Sequence, residues 1–110
     1  MSNHQHKDDN GNTAPVFKRR DGLAHNEILV ANDPTLITFD SKTKIVSFWA
    51  EGTVFLKFGG AAVVATTNDH ALPAGLIDYE PLTNNNGEII KTHVSVIAPE
   101  GTIFHLSERD

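Results

Sequence analysis

The sequence predicts an all-β fold: a small antiparallel β-sandwich or barrel of about eight short strands, preceded by an extended N-terminal arm. Three observations predict it. Short runs rich in valine, isoleucine, threonine and phenylalanine recur between residues 27 and 106, the composition that suits a half-buried pleated surface. Glycine, proline and asparagine clusters cut these runs apart, as turns between strands require. No segment sustains the 3.6-residue apolar period of an amphipathic helix.

The elements follow in chain order. Residues 1–15 hold almost no apolar side chains, too few to offset the entropy of ordering by burial, so they form a polar arm. The arm runs on through the basic cluster Lys18, Arg19 and Arg20, which divides the chain into an arm over 1–20 and a β-sandwich domain over 21–110. Residues 27–31 are an apolar run closed by Asn32-Asp33-Pro34, whose proline stops any helix. Residues 35–39 are β-branched and aromatic, and Asp40 to Thr43 end them. Residues 44–50 and 53–58 flank Glu51-Gly52 and predict a hairpin with Gly52 in its turn. Within 53–58, Val54, Leu56 and Phe58 share one face while Phe55 and Lys57 share the other. Gly59 and Gly60 break the run before an expected strand over 61–66. Residues 68–75 are expected to be irregular, with Pro73 and Gly75 as turn residues. Strands are expected over 76–80 and 88–98, either side of the loop Thr83 to Gly87. Pro99-Glu100-Gly101 then predicts a second hairpin, proline presetting φ and Gly101 supplying a positive φ, before a last strand over 102–106.

Size limits what such a fold can do alone. A folding unit of roughly ninety residues buries a modest fraction of its surface, and the absence of cysteine excludes disulfides and thiolate chemistry. Oligomerisation is the remaining route to more burial, so a homo-oligomer is expected, with a trimer favoured. The N-terminus lacks the apolar stretch of a secretory signal, and no run approaches a membrane span.

The net charge of −5 is unevenly distributed. Residues 1–50 balance six basic against six acidic side chains, whereas residues 51–110 set Lys57, Lys91 and Arg109 against eight carboxylates. A surface of that sign repels nucleic acid, so no nucleic-acid partner is expected.

The residues that could carry chemistry do not form a recognisable set. No nucleophile elbow, phosphate-binding loop or dinucleotide fingerprint occurs, and no enzyme activity or cofactor is expected. His4 and His6 lie in the arm, where an N-terminal Ser-Asn-His could chelate Cu(II) or Ni(II) incidentally. His70, His93 and His105, with Asp69, Asp78 and Glu108 near them in sequence, lack metal-site spacing and are expected to be unrelated, leaving no metal site. The paired histidines of a cupin motif are absent, and both Pro-x-Gly triplets are turns. Trp49, Phe55 and Tyr79 could form a sugar-stacking platform, although packing is the commoner use of such rings.

One resemblance adds to this reading. The segments Leu56-Lys57-Phe58-Gly59, Val64-Ala65-Thr66-Thr67-Asn68-Asp69, Leu72-Pro73-Ala74-Gly75, His93 to Ile97 and Gly101-Thr102-Ile103 resemble a pattern in small structural proteins of tailed-bacteriophage virions. The resemblance covers about half the chain and implies a virion component, made in the host cytoplasm, whose partner is the major capsid protein or another virion protein. A capsid decoration or cement protein is the expected role, with Phe17, Lys18, Arg19 and Arg20 as the arm contacts. A tail- or fibre-associated adaptor or host-surface binder is the alternative, and a cupin-like metal- or sugar-binding module a third.

Overall fold

The computed structural model describes residues 19–109. Eight strands make it up: β1 (Arg19–Leu29), β2 (Thr35–Thr38), β3 (Ile45–Ala50), β4 (Val54–Gly59), β5 (His70–Leu72), β6 (Asp78–Pro81), β7 (His93–Ile97) and β8 (Thr102–Arg109). No helix occurs among the described residues. Two four-stranded antiparallel sheets form, with strand orders β1-β8-β3-β6 and β2-β7-β4-β5. The pairs β1·β8, β2·β7, β3·β6 and β4·β5 are those of one long hairpin whose bend lies at 60–69. Rolling that hairpin adds the ladders β3·β8 and β4·β7 and closes each sheet. This strand order is that of a jelly roll, an eight-stranded double-sheet sandwich.

The rolled topology corrects both expected hairpins. β3 and β4 lie in different sheets, as do β7 and β8. Residues 51–53 and 98–101 therefore carry the chain across the sandwich. The physical reason is visible at Gly52. Two-residue hairpin turns need a positive φ, and Gly52 does not have one. Instead the Glu51 N–H continues the ladder to the Ile103 carbonyl at 3.1 Å. A Cβ on Gly52 would come within 3.1 Å of Thr102 Oγ1, so close approach accounts for the glycine. At 98–101 the Gly101 N–H closes a tight turn on the Ala98 carbonyl at 3.1 Å. Gly101 has φ +74, and a Cβ there would sit 3.0 Å from the Leu29 carbonyl oxygen. The neighbouring arch between β1 and β2 docks on the same turn through Asn32 N–H and the Ala98 carbonyl, 2.9 Å.

Residues 61–66, an expected strand, pair with no strand. They belong to the β4–β5 connection, which lies across the outer face of the β2-β7-β4-β5 sheet. Ala65 is buried there and its N–H donates to Ser95 Oγ at 2.8 Å. The strap explains why Ser95, on the outward side of β7, is also buried. The fifth strand is instead His70–Leu72, inside a segment expected to be irregular.

The core fills the space between the sheets. Phe104 and Leu106 of β8, Val46, Phe48 and Ala50 of β3, Val54 and Leu56 of β4, and Val94 and Val96 of β7 all point inward. The alternation in β8 carries on to Glu108, which places a carboxylate at a core position, 1% exposed. Its oxygens are satisfied. Oε1 accepts from Thr43 Oγ1 at 2.5 Å and from the Asp40 N–H at 2.8 Å, and Oε2 lies 2.6 Å from His25 Nε2. One side chain thus ties β8 to β1 and to the β2–β3 loop.

Removing that acceptor strands buried donors. Glu108→Ala is expected to cost about 3 kcal/mol of stability, with a smaller loss for Glu108→Gln, which keeps one carbonyl oxygen; urea unfolding checks both. Gly101→Ala is expected to cost about 1–3 kcal/mol through its left-handed backbone and the Leu29 carbonyl. Gly60→Ala, where a Cβ meets nothing and φ is not positive, should stay within about 0.5 kcal/mol in the same assay.

Candidate functional site

The outer faces of the two sheets differ. The strap covers much of one; the β1-β8-β3-β6 face carries no such cover among the described residues. Register places side chains on this face in rows. Asn26 of β1 is opposite His105 of β8, which is opposite Trp49 of β3. The next row runs Ala24, Ser107, Ser47 and Tyr79 across all four strands. Small side chains in the middle of that second row leave a trough of about 280 Å3 between the row of Trp49 and the Arg109 side chain. Arg109 Nε donates to Ser47 Oγ at 2.8 Å. Trp49 and Tyr79 remain 36% and 42% exposed, well beyond what core packing would leave.

His105 fixes the tryptophan. Its ring stacks on the Trp49 indole with centroids 4.3 Å apart and planes 19° apart. Its nitrogens lie 2.6 Å from Asn26 Oδ1 and 3.1 Å from Glu51 Oε2. Both partners are acceptors as placed, so an imidazolium would donate to each. Of the three rings considered as a platform, Trp49 and Tyr79 meet on this face, while Phe55 lies on the other sheet.

A second concavity opens at the side of the sandwich, where the short edge strands β5 and β6 leave the two sheets apart. Its volume is about 570 Å3, with Phe48, Leu56, Phe58 and Leu72 below and Asp69, His70, Asp78 and Glu80 around it. Lys91 bonds to Glu80 there. Pairing with inward-facing Leu56 and Phe48 puts His70 and Asp78 at inward positions of edge strands. Charged inward positions also discourage edge-to-edge aggregation. Among the described residues no three His, Asp or Glu side chains converge as a metal site would need.

The three histidines weighed as ligands are therefore apart: His70 at the cleft, His105 under Trp49, and His93 bonded to its neighbour Thr92. The pairing that sequence reasoning missed is His25 with Glu108. Its signal was the alternation of Phe104, Leu106 and Glu108, which put a carboxylate in register with core residues.

Of the expected arm contacts, Phe17 and Lys18 lie outside the described residues. Arg19 opens β1 and pairs with Arg109. Arg20 Nη1 donates to Asp40 Oδ2 at 2.7 Å and to Thr43 Oγ1 at 2.9 Å, so its side chain is built into the Glu108 cluster. Among the turn residues, Gly75 has φ +75 and donates its N–H to the Ala50 carbonyl at 2.8 Å. Pro73 accepts from the Leu76 N–H, and Pro99 lies within the Ala98–Gly101 turn. Gly59 ends β4, and the Gly60 carbonyl accepts from Val63.

Comparison with protein-family models, with curated proteins and with solved structures finds no match. The fold and its surfaces therefore stand on their own geometry.

The Arg20 hydrogen bond, helped by the Lys42 N–H, holds the Asp40 carboxyl below the usual carboxylate range. A lowered carboxyl stabilises the fold above its unfolded pKa, and that contribution fades as pH falls through the folded value. Arg20→Gln should move the Asp40 titration upward, as followed by side-chain carboxyl NMR; an unmoved titration would assign the lowering to the Lys42 N–H.

Proposed function

We propose that this chain is a non-enzymatic structural component of a tailed-bacteriophage particle: a capsid decoration or cement protein that attaches to the outer capsid surface through its N-terminal arm. The observation that carries this reading is the position of β1. It is the longest strand, it lies at the edge of its sheet, and it continues directly from the basic cluster. An edge strand presents a row of backbone donors and acceptors that another chain can extend by strand addition. Ile28, 80% exposed on this strand, offers apolar surface beside that edge. A contact begun by the arm can therefore continue along β1 without any change in the sandwich.

The charge distribution supports an outer rather than a DNA-facing position. The eight carboxylates of residues 51–110 face three basic residues, a balance that repels packaged nucleic acid. Strand addition between copies also accounts for the expected homo-oligomer, a trimer on this reading. The major capsid protein, or another virion protein, is the partner.

Deletion of residues 2–18 tests the arm while sparing Arg20 and its bonds to Asp40 and Thr43. The truncated chain is expected to keep its thermal unfolding midpoint and to lose co-sedimentation with particles. Undiminished co-sedimentation would remove the arm from attachment. Copy number per particle, by quantitative mass spectrometry, separates a capsid location from a tail one.

A further inference from the structure

We propose that the trough on the outer face of the β1-β8-β3-β6 sheet is a carbohydrate-binding site that takes a short stretch of a neutral polysaccharide, with the Trp49 indole as its stacking platform. The inference does not depend on the particle reading, because it rests on the trough alone. Rows of side chains two residues apart along a strand are separated by about 7 Å, and four strands place the ends of a row about 14 Å apart. The second row is small from Ala24 at one end through Ser107 and Ser47 and ends on Tyr79. The trough therefore runs across the strands as a slot for an extended chain.

Its chemistry selects that chain. One face of the indole is covered by His105, while the ring keeps 36% exposure and lines the trough together with Ile77 and Tyr79. A flat, apolar ring of this kind accepts the C–H face of a pyranose. Around it stand groups that bond hydroxyls: the amide of Asn26, the Ser107 hydroxyl and the Arg109 guanidinium, whose Nε is held by the buried Ser47 hydroxyl, all along the trough. The bonds from His105 to Asn26 and Glu51 hold the indole in place before a ligand arrives, so little side-chain freedom is lost on binding.

Other occupants fit less well. Single-stranded nucleic acid also stacks on aromatic rings, but it needs a basic groove, and among the described residues Arg109 is the one Lys or Arg along this trough. An extended peptide gains its affinity from a sheet edge, whereas the trough crosses the middle of a face. A neutral, hydroxyl-rich polymer matches a surface with alternating ring and hydroxyl groups.

Trp49 is the sole tryptophan of the chain, so its emission reports this site directly. The full-length protein is titrated with laminarin, hydroxyethylcellulose, galactomannan and dextran, with oligo-dT in parallel. The same polysaccharides are cast into native gels. At least one polysaccharide should shift the emission saturably and retard migration. Trp49→Ala should abolish the retardation, and Tyr79→Ala and Asn26→Ala should each weaken binding by about tenfold with unchanged unfolding midpoints. No response to any of the four polysaccharides overturns the proposal. So does retardation that survives Trp49→Ala, or a response confined to oligo-dT.

Discussion

Among the described residues, every ladder between strands joins the first half of the chain to the second. β1 and β3 pair with β8, β3 with β6, β2 and β4 with β7, and β4 with β5. No two described strands from the same half are hydrogen-bonded to each other. Neither half can then make a sheet alone, and the backbone groups of each depend on the other for satisfaction. Only the β4–β5 pair is close in sequence, so the remaining pairings need long loops to close before any contact rewards them. Folding of such a chain is cooperative by construction, since half a jelly roll has no ladder to keep.

That dependence makes the two ends of the sandwich important. At one end the β1–β2 and β7–β8 arches share the Ala98 carbonyl, through Asn32 and Gly101. At the other, Glu108 gathers His25 of β1 and the Thr43 hydroxyl and Asp40 N–H of the β2–β3 loop, with Arg20 one bond further out through Thr43. A buried carboxylate is weak evidence of net stabilisation, because desolvation opposes its bonds. Its effect here is positional: it fixes where the last strand ends and where the first begins.

The faces divide the remaining work. One sheet is partly covered by its own β4–β5 strap, which accounts for the burial of Ala65 and Ser95 outside the main core, while Leu36 of β2 stays exposed. The other keeps Trp49, Tyr79 and Ile28 in solvent. A small domain without disulfides does not gain stability from such exposure, and surface aromatic groups in a shaped trough are what ligand recognition uses. Edge and face offer separate contacts: backbone along β1, side chains across the sheet.

The sequence alone determined the all-β class and most strand positions, because alternation and turn residues act over a few neighbours; the count of eight agrees because His70–Leu72 takes the place of the strand expected over 61–66. The inward set Val54, Leu56 and Phe58 was legible for that reason. It also marked Gly101 and Gly75 as turn residues with positive φ. Which strand pairs with which was decided only by the tertiary structure. Glu51-Gly52 and Pro99-Glu100-Gly101 have hairpin composition, yet they cross between sheets, because pairing partners are chosen by long-range burial and local turn chemistry cannot report it. The apolar stretch 61–66 became a strap for the same reason, being as able to cover a sheet as to join one. Of the aromatic trough the sequence offered only the rings Trp49 and Tyr79, and of the Glu108 cluster only the alternation that ends on it, since the members lie up to eighty-three residues apart and meet only when the roll closes.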